Sequence, residues 1–223
     1  GMMMTDARGK LGGHVFTKAR NGATIRTKVS PANPQTPAQS LSRSIFATVS
    51  STWRTLDEDE RVAWNAAVND YSRTNVFGDN YLPSGKNLFT QLNCNLLNVG
   101  LPIIANPPSP LTFDGIFVDG ITVIDADKAI TPSFPNGTPG IEYIKVMEAS
   151  KPFSAGKFNF SGSYSKVTQW TSAAPPTAMQ LYNDYVSKYG VPAIGQKIAF
   201  RFYVISIDTG QKSQYTNATT IVV

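Results

Sequence analysis

The chain has one cysteine, one histidine and few charges, and each shortage removes a class of chemistry. With Cys94 alone there is no intramolecular disulfide, and a cysteine-built metal centre lacks ligands. Cys94 lies in the apolar-periodic run LFTQLNCNLLNVG, where a thiol reads as buried and inert. His14, the only histidine, leaves no metal cluster with two His ligands and a single candidate base for any triad. Its place at a strand start beside Gly12-Gly13 reads as structural. Charged residues make up 16% of the 223, so Asn, Ser and Thr must cover much of the surface. No window approaches the roughly 18 consecutive apolar residues of a membrane span. No basic segment followed by an apolar core marks a secretory signal, and Gly1 ahead of Met2 reads as a cloning remnant.

Acidic residues are missing from one region in particular. Residues 1 to 54 carry eight lysines and arginines against Asp6 alone, a net +7, so the remainder holds −2 of the total +5. A basic head on a near-neutral body points to a polyanionic neighbour, either nucleic acid or an acidic protein surface.

What is present is a clear order of elements. His14 to Ala19 and Ala23 to Val29 alternate with period two around Arg20-Asn21-Gly22, whose Asn-Gly suits a type I′ turn. The spacing predicts a β-hairpin with Val15, Ile25 and Val29 as its apolar theme. A lone two-stranded hairpin is marginal in water, so it needs a partner from the same chain or another subunit. Ser30 to Pro37 contains three prolines and reads as an extended connector. Thr36, Pro37 and Gln39 then form a capping-box start for a helix carrying Leu41, Ile45, Phe46, Val49 and Trp53. Asp57 and Glu60 cap a second helix with Trp64, Val68 and Tyr71 on its stripe. Ser84 caps a third, Gly85 to Val99, stopped by Gly100 and Pro102. Asn106 to Pro110 reads as a stiff linker.

Beyond it the pattern turns to β. Strands are predicted over 111–118, 121–124, 130–134, 141–148, 157–164, 198–208 and 214–223. A short helix is predicted over 178–188, punctuated by Pro175-Pro176 and Gly190. Short strands between Gly, Pro and Asn turns suggest a sandwich of about seven strands.

The candidate motifs are few. Asp57 to Glu60 are paired carboxylates fully explained by a helix start. Asp114, Asp119, Asp125 and Asp127 could offer loop oxygens to Ca²⁺, but turn aspartates more often bond their own backbone. GKLGG lacks P-loop spacing and precedes a strand. No catalytic residue, metal ligand or cofactor is assigned. Lys18, Arg20, Arg26 and Lys28 sit on the hairpin, and a two-stranded ribbon of that charge can contact nucleic acid or an acidic partner. Trp53 and Trp64 fall at helical spacing and read as core. Trp170, before a Thr-Ser-Ala-Ala-Pro-Pro stretch, is the tryptophan left for carbohydrate contact.

The stretch from Gly9 to Asn65, with its Gly-rich start, basic hairpin, Asn-Pro-x-Thr-x-x-Gln, Trp-Arg-x-Leu and Ala-Trp-Asn, resembles the N-terminal signature of phage- and prophage-encoded proteins of unknown function. SGKNLFTQLNCNLLNVGLPIIANPP is similar to that family's second block, so the resemblance covers roughly residues 9 to 108. It is also similar to a Bacteroidetes family of unknown function with a basic N-terminus. GQKIAFRFYVISIDTGQKS resembles the penultimate strand and turn of a fibronectin type III-like or immunoglobulin-like domain, although a helix near 178–188 departs from the plain pattern. Neither family brings catalytic residues.

These readings give an α+β protein with an N-terminal β-hairpin plus three-helix unit and a C-terminal immunoglobulin-like (fibronectin type III-like) β-sandwich. The expected boundaries are a basic arm and proline connector over 1–35, a helical unit over 36–105, a linker over 106–110 and the sandwich over 111–223. The expected role is a non-enzymatic structural or interaction protein of phage or prophage origin, soluble and either cytoplasmic or virion-associated. It would bind a protein partner or itself through the hairpin, with no membrane. The alternatives are a DNA-binding protein using the hairpin and a carbohydrate-binding or adhesion module.

Overall fold

Capping chemistry written into the sequence starts the helices where the spacing places them. In the computed structural model, Asp57 Oδ1 accepts from the Glu60 amide at 2.8 Å and Glu60 Oε2 accepts from the Asp57 amide at 3.1 Å, a complete capping box. Ser84 Oγ and Thr177 Oγ1 accept from Asn87 and Gln180 at 3.3 Å in the same way. The structure describes residues 8–19, 22–30, 32–74, 80–112, 115–137, 139–157, 160–171 and 174–223. The fold is α+β with antiparallel sheets, and the chain divides into two units, Gly1–Ser40 and Leu41–Val223.

The first unit is a three-stranded antiparallel meander of β1 (Gly9–Leu11), β2 (His14–Ala19) and β3 (Gly22–Thr27). β2 and β3 are the expected hairpin. β1 adds a third strand where a glycine-rich lead was read. Gly12, at φ 56°, makes the tight β1–β2 turn that a side chain would resist. Arg20 and Asn21, the expected turn residues, lie outside the described residues. After the connector, Thr36 Oγ1 accepts from the Gln39 amide at 3.4 Å and α1 (Pro37–Thr55) begins.

The second unit opens with the rest of α1, α2 (Glu58–Ala67), a 3-10 turn over Val68–Tyr71, the two-residue pair β4 (Arg73–Thr74) and β5 (Asn80–Tyr81), and α3 (Gly85–Asn98). Val49, Leu56, Trp64, Val68, Tyr71, Leu88, Phe89 and Leu92 form its helical core. Trp64 meets Phe89 edge to face with centroids 5.2 Å apart, and Trp53 tilts on the same ring at 5.3 Å, so both tryptophans are packing residues as their spacing predicts. Gly85 lets α3 approach α2 closely, because a Cβ there would meet the Asn65 backbone.

The stretch read as a linker, 106–110, and the residues just before it are held to these helices. Trp64 Nε1 donates to Ala105 O at 2.5 Å and Tyr71 Oη to Pro108 O at 2.9 Å. The buried Asn93 amide donates to Phe89 O and Ile104 O and accepts from the Ile104 amide at 2.8 Å. Prolines there stiffen a strap on the helices.

The remaining elements are β6 (Gly120–Ile124), β7 (Ala129–Ser133), β8 (Tyr143–Ala149), β9 (Ser165–Trp170), α4 (Ala178–Tyr189), β10 (Lys197–Ser206) and β11 (Thr216–Ile221). A four-stranded antiparallel sheet runs β11-β10-β8-β9. The β6–β7 hairpin joins it through a parallel bridge between Val123 and Val222. On one face Met147, Ala149, Phe200, Phe202 and Val204 pack with the β6–β7 hairpin and with Leu181, Tyr182 and Tyr185 of α4. On the other, Ile144, Val146, Tyr203 and Ile205 pack against Val99 at the end of α3.

Two strand expectations move. The strand predicted over 157–164 is found at Ser165–Trp170, because Phe160 packs between Phe153 and Tyr164 with centroids near 5 Å. The alternation there serves an aromatic cluster. The strand predicted over 111–118 is irregular in its described part, yet Ile116 and Val118 are buried. α4 stands where the sequence predicts it.

Candidate docking site

The N-terminal sheet presents two chemically different faces, and register decides which residue goes where. Partners directly opposite in an antiparallel pair share a face. Phe16 stands opposite Ile25 and Gly9, and His14 opposite Thr27 and Leu11. Val15 stands opposite Arg26 and Lys10, and Thr17 opposite Thr24, with their Oγ1 atoms 2.8 Å apart. One face therefore carries Leu11, Phe16 and Ile25, and the other Lys10, Val15 and Arg26 with the threonine pair. The apolar theme expected of Val15, Ile25 and Val29 is split, because Val15 lies on the basic face and its place is taken by Phe16.

The same register separates the expected contact residues. Lys18 pairs with Ala23 on the apolar face, whereas Arg26 lies on the other. Lys28 follows the end of β3, its amide donating to Gly13 O at 2.8 Å. Arg20 lies outside the described residues. Lys10, at the β1 edge of the Val15 row, is a cation of the basic face that the sequence reading left out. Its signal is its position one strand away, which only the third strand reveals.

Burial gives this sheet its significance. None of the described residues between Arg8 and Ser40 is buried. Leu11 is 68% exposed and Ile25 66%. The apolar face of a small sheet contributes to its stability when packed, and among the described residues Phe16 is only half-buried here. α1 repeats the pattern. Leu41, Ile45, Phe46, Val49 and Trp53 make one stripe, but only its second half is covered, by Phe89 and the helical core. Leu41 is 56% exposed and Phe46 58%. An exposed apolar stripe of this kind is a candidate contact surface.

Elsewhere the polar clusters are engaged internally. Trp170 is 7% exposed and belongs to the core under α4, so it presents no ring face to a sugar. Its indole belongs to the cluster that also holds Leu181, Tyr182 and Tyr185 of α4, a packing environment. Asp125 accepts from Tyr182 Oη and from Lys128 Nζ at 3.0 Å. The tyrosine bond, then the lysine bond, holds its carboxyl below the usual range. Asp114 lies outside the described residues, and among those described no group of three His, Cys, Asp or Glu side chains could hold a metal ion.

Arg201 pairs with Glu148 and lies between Tyr164 and Tyr215, 4.6 and 4.3 Å from their centroids. Lys212 stands 3.7 Å from the Tyr203 centroid. Burial, then Glu148, pushes the Tyr203 hydroxyl far up. Beside this ladder an open groove of about 730 Å³ is lined by 111–112, 115–117 and 211–216. Its polar groups largely serve the fold: Gln211 Oε1 accepts from the Leu111 amide and Thr216 Oγ1 donates to Ile116 O, both at 2.6 Å.

Comparisons of the chain with protein-family models, with curated proteins and with solved structures find no match. Among the described residues, no helix is long and apolar enough to cross a membrane.

Proposed function

We propose that the chain is a non-enzymatic interaction protein, of the phage or prophage structural type that its N-terminal blocks resemble, and that residues 8–30 are its docking arm. One observation carries the reading: a three-stranded sheet with Leu11, Phe16 and Ile25 on one face has no buried residue among those described. Burying each such side chain contributes about 1.5–3 kcal/mol, so a partner that covers the face gains what the isolated arm forgoes. Support for an immunoglobulin-like reading of the C-terminal half comes from the strand order β11-β10-β8-β9. With β8 taken as strand C, that is the G-F-C-C′ order of variable-type domains. The β6–β7 hairpin and α4 then stand in place of the second sheet. Such sandwiches serve widely as scaffolds for contact.

Limited trypsin digestion of the dilute protein tests the docking role. Lys18, Arg26 and Lys28 should be cut early, leaving the Leu41–Val223 unit intact. An arm that resists as long as that unit would remove the reading.

A second reading is favoured by the other face, where Lys10 and Arg26 flank Val15 beside two threonine hydroxyls. DNA would meet that face, with binding that weakens steeply with salt and with Lys10→Ala and Arg26→Ala. No duplex binding at low salt would exclude it.

A further inference from the structure

We infer that the end of the second unit built around the 190–197 loop is a docking site for an anionic lipid surface. The inference goes beyond the docking arm and lies wholly within Leu41–Val223. Three segments meet at this end. The Gly195 amide donates to Val222 O at 2.9 Å and the Val222 amide to Gln196 O at 2.8 Å. Phe153 and Lys197 exchange backbone hydrogen bonds at 2.9 and 2.8 Å, and Lys197 Nζ donates to Lys157 O at 3.3 Å. The 151–157 loop, the 190–197 loop and the residues after β11 are therefore neighbours.

The 190–197 loop is fixed at its base and apolar at its tip. Gly190 and Gly195 hold φ at 83° and 82°, a backbone region that favours glycine. Between them the Gln196 amide donates to Ala193 O at 3.1 Å, and Gln196 Oε1 accepts from the Ala193 amide at 3.0 Å. Yet Ile194 is 71% exposed and Val191 63%. Ile221, opposite Lys197 across β10 and β11, is also exposed. A hydrogen-bonded loop that turns aliphatic side chains to water is already shaped for an apolar layer, so little ordering cost remains at contact.

Charge selects the layer. Lys151, Lys157, Lys188 and Lys197 lie in or beside these loops, and no aspartate or glutamate occurs in 149–183, 185–207 or 209–223. Asp208 lies beyond the far end of β10, whose length is roughly 30 Å at about 3.3 Å per residue. At the margin, the 125–128 turn, whose Asp125 amide donates to Val223 O, pairs Asp125 with Lys128 at 3.0 Å and adds Asp127. With Asp184 on α4, that leaves the four lysines in excess. Among the described residues none of the four makes an ion pair with a carboxylate.

The type of cation matters too. Protein interfaces are depleted in lysine and enriched in arginine and aromatic residues. Lysines beside aliphatic side chains suit acidic headgroups over an acyl layer, with stems on the apolar region and amines at the phosphates. Nucleic acid would take up the charge and leave Val191 and Ile194 without a role. The contact is peripheral, with two loops and a strand end meeting the surface.

Co-sedimentation of the full chain with vesicles tests this, using phosphatidylcholine alone and phosphatidylcholine mixed with phosphatidylglycerol. Wild type should bind the mixed vesicles, release them as salt rises, and ignore the neutral ones. Lys151→Ala and Lys157→Ala should each weaken binding about fivefold, and Ile194→Asp by roughly tenfold or more. All three side chains are exposed, so circular dichroism should show folded variants. The basic arm serves as the control: in a chain carrying Lys10→Ala and Arg26→Ala, Ile194→Asp should weaken binding by the same factor. No binding to the mixed vesicles would overturn the inference, as would equal binding to the neutral ones. Binding that Ile194→Asp leaves unchanged would overturn it too, and its loss with the two arm changes would assign the lipid to the arm. Polyglutamate bound as tightly as the mixed vesicles would overturn it in favour of an acidic protein.

Discussion

Phe16 and Ile25 stand directly opposite each other across β2 and β3, yet Ile25 keeps 66% of its surface in water. A cross-strand aromatic and β-branched pair is among the better units of sheet stabilisation, and here Phe16 is only half-buried. The same chain buries Phe200, Phe202 and Val204 completely in its second sheet. The chain can make a core, and it leaves Leu11 and Ile25 of the first unit largely exposed.

The strap over the helices should depend on Asn93. Its side chain accepts from the Ile104 amide and donates to two carbonyls, all within the helical core. Asn93→Ala removes the side-chain partner of the half-buried Ile104 amide and carbonyl, at a cost of about 1–3 kcal/mol. Urea unfolding should show a lower midpoint with an unchanged slope.

Gly210 is a second position with little tolerance. It holds φ at 69°, and a Cβ there would press into the Leu92 carbonyl of α3. The turn is anchored by Asn95 Nδ2, which donates to Gly210 O at 2.9 Å. The backbone conformation alone should cost Gly210→Ala about 1–3 kcal/mol, with the clash added. Gly137, at φ 71° with open space around it, should lose only the conformational part on the same change. Thermal unfolding of the two variants side by side checks the difference.

Stability should also rise through mildly alkaline pH. Lys145 is buried, its Nζ donating to Thr171 O at 3.0 Å and to Gly140 O. Burial pushes its amine down, with Glu142 opposing weakly. A depressed lysine means that the unfolded chain binds more protons between the folded value and the ordinary value near 10.4. Stability therefore increases with pH across that window, by less than about 1.4 kcal/mol per pH unit. Lys166 and Lys188 shift in the same direction by burial. Tyr185 and Tyr203 are raised by burial and act oppositely, so stability falls once tyrosines ionise in the unfolded chain above about pH 10. Urea midpoints should rise as pH approaches the ordinary lysine value for wild type and rise less for Lys145→Met. Identical slopes would contradict the role given to Lys145.

Local chemistry was the legible part of this sequence. Asp57 and Glu60 announce a helix start because a cap is satisfied within four residues. Trp53 and Trp64 read as core because helical spacing alone puts them on a stripe. β1 was not legible, since Gly-Lys-Leu is too short to show alternation and becomes a strand only by pairing with β2. The faces of the hairpin required register, which moved Val15 beside Arg26 and brought Phe16 to Ile25. The burial of Trp170 was not legible, because the cluster it joins is assembled from several elements, including α4, a helix later in the chain. Whether a surface is bare cannot be read from an apolar pattern, which looks the same in Leu41 as in Val49.

Amide hydrogen exchange of β2 and β3, followed by mass spectrometry, tests the arm's need for an outside core most directly. In dilute protein the amides of residues 14–19 and 22–27 should exchange within seconds while those of β8 and β10 stay protected. Arm amides as slow as those of β10 in a dilute monomer would contradict it.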